Sequence, residues 1–543
     1  IIRGHCMRVE SIVIVGGGSS GWMTAAMLSK TFPEMQIGLV EDEQGPIGVG
    51  ESTLGHFNRF LRRMELEDKD WMPYCNATYK TSIAFKNFRH GEGERFQYPF
   101  GNFDLFDYKD SLQRYYQLAC KYGVDKYPPD KFANFANNQT YLADQCKITT
   151  DPIPDSNYDM EKDTAYHFDA GLFGNYLRDH HCIPRGVMHL KGKIEKVMKN
   201  PDGSIDSLVT TQDGLIRADL YIDCTGFQSL LLEQHMGSKF ISFKDKLFND
   251  TALATQIPYS DRENQMETYT DCVAMDAGWV WNIPLWHRVG TGYVYSSDYI
   301  NECEAEVEFR KYLSERYTPE IAQDAKLRKI DIKHGKREKA WVKNVVGIGL
   351  SYGFLEPLES TGLMTTHENV LLLCDTLQRR QGFYARFEQE SFNWNCDNMI
   401  ESMKNFIALH YALSQRDDNQ YWRDCTNINF DIDPHWQQST KSAHGSVVTM
   451  LDKMEDAFYN LEQHSGIIYI AAGLGYRPFS EGMFEERMSA DKETDEWLKI
   501  LEEIHTKYQQ DSKVMMDWVD KLPSHYEYLR DNIYDLQEEE TVG

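Results

Sequence analysis

The sequence is short of positive charge. Its 57 Lys and Arg stand against 84 Asp and Glu, a net charge of −27. That excludes nucleic acid or an anionic membrane surface as the main partner, because both are bound through clustered cations. Closely spaced cysteines are missing too: the nearest two of the eleven are Cys374 and Cys396, 22 positions apart. No CxxC redox pair or paired zinc knuckle can be built from them, and the pattern fits reduced thiols in a cytoplasmic protein better than a disulfide framework. No apolar run approaches the 18 residues that a membrane span requires. Internal repeats and low-complexity linkers are absent, so repeat arrays and flexible module strings drop out. Ile1–Cys6 reads as a remnant ahead of a natural start at Met7 and is set aside.

What is present begins with a core. Hydrophobic residues make up 41% of 543 positions, enough for a large packed interior and too many for a mostly disordered chain. Ser11–Val15 (SIVIV) is a short β-branched run of the kind a doubly covered parallel strand needs. It enters Gly16-Gly17-Gly18-Ser19-Ser20-Gly21, a GxGxxG turn, after which Trp22–Phe32 reads as a helix and Gln36–Val40 as a second buried strand ending in Glu41-Asp42. Strand, glycine turn, helix, strand and terminal acid form one βαβ unit. Gly16 serves the tight turn, Gly18 the approach of a pyrophosphate and Gly21 the helix–strand contact, while Glu41 is placed to accept from a ribose hydroxyl.

Further along, Tyr166–Arg178 has helical spacing, and Gly192–Val209 alternates like strands around the turn Asn200-Pro201-Asp202-Gly203. Ala252–Pro258, Trp279–Leu285 and Gly290–Tyr295 read as strands and Glu304–Arg316 as a helix. After about Glu388 the character is helical: Phe392–Ala412, Ser446–Gln463 and Asp491–Gln509. A strand ending Asp223-Cys224-Thr225-Gly226 is a pattern common where a chain passes a flavin, and it favours FAD over NAD. The glycines of Gly347-Ile348-Gly349 lack the spacing of a second dinucleotide motif. Asp179-His180-His181-Cys182 has no spaced partner ligands and reads as a polar loop rather than a metal site.

Other segments carry a family resemblance. Gly278-Trp279-Val280-Trp281-Asn282-Ile283-Pro284 matches WxWxIP, and Phe354-Leu355-Glu356-Pro357-Leu358-Glu359-Ser360-Thr361-Gly362 matches FxxPxxSxG, two signatures of flavin-dependent halogenases. Gly48–Thr53, Tyr166–Asp169, Gly290–Ser297 and His410–Arg423 also resemble that family, in order, over roughly Val9–Pro478. The tryptophan-halogenase branch is the nearest.

The resemblance implies an α/β fold: an FAD-binding, Rossmann-like flavoprotein monooxygenase body over 7–388, with a substrate-side insertion at about 90–165, and a helical C-terminal substrate-side part over 389–543. It implies FAD, arriving as FADH2 from a separate flavin reductase, with O2 and a halide (chloride, bromide or iodide) as co-substrates. A flavin hydroperoxide would oxidise halide to hypohalous acid, which crosses a channel to an aromatic substrate. Cofactor-side residues are then Gly16, Gly18, Ser20, Gly21, Glu41, Gly50, Glu51, Asp223, Gly226 and Gly349. Thr361 and Gly362 would hold the halide. Lys80 would capture the oxidised halogen, and Glu359 would orient it and accept the ring proton. Trp279, Trp281, Tyr98, Phe100, Pro357 and Ser360 would line the channel and the substrate.

The substrate end departs from the family. Where tryptophan halogenases clamp the amino-acid backbone, a gapless count puts Ala457, Leu461 and Glu462, and their paired tyrosines fall at Met450-Leu451. A site without those polar partners discriminates poorly for free tryptophan. The expected substrate is a small-molecule aromatic, indole-like or otherwise electron-rich, other than free tryptophan, and the loss of the clamp leaves a more open site with room for one larger than an amino acid. Two rival readings are a flavin-dependent aromatic hydroxylase and a non-catalytic flavin-binding protein. Homo-oligomerisation stays open, since no self-complementary face is legible.

Overall fold

The computed structural model describes residues 7–42, 50–104, 106, 108–212, 214–428, 466–477 and 493–534. Backbone packing divides the chain into two units, 1–77, 166–250 and 331–404 in one, and 78–165, 251–330 and 405–543 in the other. Each unit is thus woven from three separated stretches of sequence. The helix Arg386–Ala412 runs through position 388, where the sequence places a boundary.

In the first unit a six-stranded sheet runs in the order Trp341–Val342, Val345–Gly347, Leu220–Asp223, Ser11–Val15, Gln36–Glu41, Met188–Lys191. All pairs are parallel except the edge hairpin at Trp341–Gly347. Val13, Val15, Val40, Tyr221 and Val345 pack on one face against Ile205 and Leu208 of the hairpin Ile194–Thr210. The alternate residues Ile12, Ile14, Leu39 and Ile222 are equally buried, because the helix Ser19–Thr31 lies on this sheet and against the helices Ala170–Leu177 and Thr361–Arg379. A strand covered on both faces has to be apolar throughout, which is what the SIVIV run supplies.

Tyr166–Arg178 is not the single helix that its spacing predicts. Ala165–Phe168 is a strand, pairing Phe168 with Glu51 and His167 with Ser52. The helix starts only at Ala170, with the Asp169 carboxylate accepting from the Gly171 and Leu172 N–H groups. An Asp at the N-cap ends a strand and opens a helix in one step, and the pairing partner lies more than a hundred residues away.

The second unit holds a seven-stranded sheet ordered Arg328–Asp331, Thr251–Pro258, Arg288–Tyr295, Gly278–Pro284, Tyr269–Ala274, Ser82–Lys86, Arg95–Pro99. On one face Leu253, Val280, Tyr293 and Tyr295 pack on Phe309 and Leu313 of the helix Glu302–Arg316. That helix also reaches the sheet through polar contacts, Arg316 to Asp271 (2.5 Å) and Asn282 to the Tyr312 hydroxyl (2.7 Å). The opposite face is therefore free to carry different side chains. No helix among the described residues is long and apolar enough to cross a membrane.

Candidate active site

In the first unit the glycine turn borders a cleft of about 890 Å³, lined also by Glu41, Arg178, Lys193 and Thr225. Gly16 has φ +114°, and a Cβ there would lie 2.2 Å from the Cys224 carbonyl oxygen; one on Gly21 would lie 1.9 Å from the Gly16 carbonyl. Only glycine fits either place. A Cβ on Gly18 would meet nothing within 4 Å, so that position opens on the cleft. Gly18 caps the helix Ser19–Thr31 without a side-chain bond, and the first turn holds no acid. Uncapped amides and a positive helix end facing open space suit a pyrophosphate. These residues fit FAD, whose adenosine half would lie toward Glu41.

Glu41 is more constrained than the motif suggests. Its Oε1 lies 2.7 Å from His189 Nε2, and its Oε2 sits 1.9 Å from where a Gly17 Cβ would be. His189 in turn packs edge-on to Trp22, with ring centroids 5.0 Å apart. Nothing local in the sequence marks His189, because it reaches Glu41 from a neighbouring parallel strand.

Asp223 is fully buried, and its oxygens are taken up by the chain. Oδ1 accepts from the Thr225 N–H (3.0 Å), the Thr225 hydroxyl (2.6 Å) and the Ser351 hydroxyl (3.0 Å); Oδ2 accepts from the Leu231 and Leu232 N–H groups (2.7 and 2.8 Å). It organises the Thr225–Leu232 loop, in which Gly226 has φ +66°. Gly349, at φ +65°, closes on the glycine turn: its Cβ would lie 3.1 Å from Ser20 Cβ. Gly50 has φ +91° and precedes Glu51; Gly48 and Val49 lie outside the described residues.

The turn before the helix Thr361–Arg379 has the geometry of an anion nest. Ser360 is left-handed (φ 55°, ψ 33°) and Thr361 begins the helix. Successive N–H groups in left- then right-handed residues converge. The Ser360 side chain does not cap the helix; its hydroxyl donates to Ser52 Oγ at 3.0 Å, and the Thr361 hydroxyl donates to the Glu356 carbonyl at 3.1 Å. Asn249 fixes the Glu356 carboxylate at 2.8 Å. Pro357–Glu359 is a single 3₁₀ turn in which Glu359 is fully buried. Glu51 Oε2 lies 3.8 Å from the place of a Gly362 Cβ, and burial, then the charge of Asp169, pushes the Glu51 pKa up to about 7.

In the second unit, Trp279 and Trp281 share the sheet face opposite the helix Glu302–Arg316, ring centroids 6.3 Å apart and edge to face. Trp281 pairs with Cys272 and Gly292, Cys272 with Phe85, and Phe85 with Phe96, so Phe96 and, two residues on, Tyr98 stand on the same face. The indole fits because Gly292 has no side chain: a Cβ there would lie 2.2 Å from Trp281 Cη2.

Lys80 is fully buried at the end of the strand Thr78–Lys80, with Nζ 5.0 Å from the centroid of the Phe100 ring. Thr78 ties this strand to the end of the tryptophan strand by donating to the Pro284 carbonyl at 2.6 Å. The Tyr79 N–H points at His525 Nε2 (3.2 Å), and His525 Nδ1 faces the Met266 carbonyl. Burial holds the His525 pKa down at about 4, so the ring is neutral, accepting through Nε2 and donating through Nδ1.

Tyr98 meets Phe100 edge to face and stacks on Tyr469, and Tyr469 stacks on Phe103 at 4.8 Å. The short helix Gly466–Gly473 that carries Tyr469 sits so close that a Cβ on Gly466 would be 2.7 Å from the Tyr98 hydroxyl and one on Gly473 2.3 Å from Phe96. Lys80 thus borders Phe100, the end of an aromatic wall that runs through Tyr98 to Tyr469 and Phe103, and nothing local in the sequence marks the last two. The clamp positions Met450-Leu451, Ala457 and Leu461-Glu462, like the helix expected at Ser446–Gln463, lie outside the described residues.

A family model described as tryptophan halogenase matches residues 11–489. The 7-chloro-L-tryptophan 6-halogenase KtzR of Kutzneria sp. (strain 744) is 34% identical over 430 residues, 76% of this chain and 81% of its own. Among solved structures, VirX1 in its apo form is 46% identical, with a TM-score of 0.86 over 97% of this chain and 100% of that one. Xcc4156, a flavin-dependent halogenase from Xanthomonas campestris, is 27% identical, with a TM-score of 0.78 over 96% of this chain and 98% of its own.

Proposed function

The chain belongs to the tryptophan halogenase family, enzymes of flavin-dependent halogenation, and on that premise we propose that it places a halogen on an electron-rich, indole-like aromatic other than free tryptophan, through Lys80. The observation that carries this reading is the setting of Lys80: a fully buried amine over the Phe100 ring, beside the stacked Tyr98, Tyr469 and Phe103. A buried amine set against a ring face lies out of bulk solvent, and can hold hypohalous acid by a hydrogen bond or as a haloamine and aim it at a neighbouring ring.

When bound, reduced FAD supplies with O2 the oxidising equivalent for the halide. The glycine turn, Glu41 and the loop organised by Asp223 would hold it; the Ser360–Gly362 turn would hold the halide. Glu359 would take the proton that leaves the ring, which lowers the barrier for restoring aromaticity. Trp279 and Trp281, fixed on one sheet face, would separate the aromatic substrate from the flavin and so suppress direct hydroxylation. The missing amino-acid clamp in the sequence supports a substrate recognised by its ring rather than by an ammonium and a carboxylate. FADH2 would come from a separate reductase.

The test supplies FAD, NADH, a flavin reductase and each halide in turn to a panel of indoles, phenols and pyrroles, and reads products by mass spectrometry. Halogenated product is expected with bromide, at a rate far above that for free tryptophan. Lys80→Ala is expected to lose halogenation by 10²-fold or more, the scale of one positioned group, while still consuming FADH2. Halide-independent hydroxylated product would favour a monooxygenase instead, and full activity in Lys80→Ala would overturn the assigned role.

A further inference from the structure

Glu51 stands where a negative charge opposes the ligand proposed for its neighbour. Its Oε2 borders Gly362, 3.8 Å from the position of the absent Cβ. Its backbone is anchored beside that turn: Ser52, the next residue, bonds Ser360, and the two-residue strand is paired to Phe168 and His167. Asp169, at the end of the paired strand, acts on it with like charge. That strand also carries His167, opposite Ser52, and the segment leading into the helix Thr361–Arg379 carries Glu356 and Glu359. On that helix the first titratable groups are His367 and Glu368, beyond the first turn, and Arg59 is paired to Glu368. A carboxylate and a halide cannot share this corner in their charged forms.

We propose that Glu51 is a proton gate for the halide: the Ser360–Gly362 nest takes up a halide together with one proton on Glu51, and lets it go when Glu51 ionises. The inference rests on the reading of that turn as the halide site. It adds a condition to that reading, since two like charges give way to one anion and one neutral acid. Burial and Asp169 place the changeover at about pH 7. Linkage then requires reciprocity: bound halide raises the affinity of Glu51 for its proton by the factor by which protonation raises halide affinity.

The experiment is chloride NMR line broadening on the protein with and without FAD, from pH 6 to 9, with bromide as competitor. It reads binding without turnover. One proton per halide gives an affinity that is level in the acid range and falls about tenfold per pH unit above about pH 7. Glu51→Gln, neutral at every pH, is expected to bind chloride with no pH dependence over the same range. Broadening that bromide displaces but that is independent of pH in the unaltered protein would overturn the gate and leave the halide site standing. A tenfold slope retained by Glu51→Gln would overturn the gate as well. No displaceable broadening at any pH would instead remove the halide reading of the turn. The unaltered protein alone decides the first and last of these, so the outcome does not hang on how the variant folds.

Discussion

Removing the His189 imidazole should weaken FAD binding without touching any atom of the glycine turn. The Glu41 carboxylate is held from two sides, by His189 Nε2 at 2.7 Å and by the bare face of Gly17, where a Cβ would come within 1.9 Å of Oε2. Both side chains are about one-fifth exposed, so this bond is stronger than a surface pair and weaker than a fully desolvated one. A hydrogen bond from a ribose hydroxyl to the Glu41 carboxylate is charge-assisted, worth about 1.5–3 kcal/mol. Glu41→Gln should therefore raise the FAD dissociation constant by roughly 10- to 150-fold. His189→Ala leaves the carboxylate present but free to rotate, a loss of about 1 kcal/mol, or roughly fivefold.

The decisive quantity is the coupling. If His189 acts only by orienting Glu41, then His189→Ala on a Glu41→Gln background adds almost nothing, an interaction energy of about 1 kcal/mol in a double-mutant cycle. Titrations of FAD and FMN followed by flavin fluorescence supply the control, since FMN has no adenosine and should bind all variants alike. His189→Gln, which keeps a donor, should recover part of the loss. Equal weakening of FAD and FMN would show a general structural defect, and additive losses would show that the two residues act separately; either result refutes the argument.

Gly292→Ala should displace the Trp281 indole, which lies 2.2 Å from the new Cβ with the Leu253 carbonyl oxygen 2.8 Å away on another side. An overpacked core site of this kind costs about 1–3 kcal/mol, so thermal unfolding should fall by about 1–3 °C with an altered tryptophan emission, and an unchanged melt and emission would refute it. His525 gives a pH prediction. Its native pKa of about 4 lies below the ordinary 6.5, so between these values the unfolded chain binds the proton and the native one does not. Stability therefore rises with pH across that window and is lost as pH falls, by up to about 3 kcal/mol below pH 4. His525→Gln should flatten this part of the profile, measured by urea unfolding at stepped pH; an unaltered slope would show that His525 is not its source.

The sequence shows most clearly what is local. Ser11–Glu41 is legible because a doubly buried strand, a glycine turn and an opening helix each leave a mark within a few residues, and the hairpin Ile194–Thr210 is legible from its Asn-Pro-Asp-Gly turn, where Gly203 takes φ +81°. The alternation of Trp279 and Trp281 identifies a strand, but not the Gly292 opposite that makes room for the indole. Tyr166–Phe168 is misread as helical since its strand character comes from pairing with segments distant in sequence, Glu51-Ser52 among them. His189, Phe103, Tyr469 and His525 escape for the same reason. Each gains meaning only from a partner brought near by folding: Glu41, Tyr98 or the backbone beside Lys80. The motifs mark chemistry that a family shares, whereas the groups that orient those motifs are scattered singly through the chain.

The net charge of −27 takes on a definite consequence at the Ser360–Gly362 turn. At roughly half an elementary charge, the positive end of a helix attracts an anion by at most about 1–2 kcal/mol, even when partly buried. At an effective dielectric constant of 20, two like unit charges about 5 Å apart repel by about 3 kcal/mol. The nest alone cannot outweigh Glu51, and the field of an acidic protein adds to the opposing side. Lowering the carboxylate's pKa with a cation would leave the repulsion in place, though partly screened. Raising it removes the charge itself, and burial beside Asp169 does so without adding any positive group that could hold a halide too tightly to release it as product oxidant. A weak, proton-linked anion site is what the chemistry asks for, since the bound halide has to be consumed in every turnover.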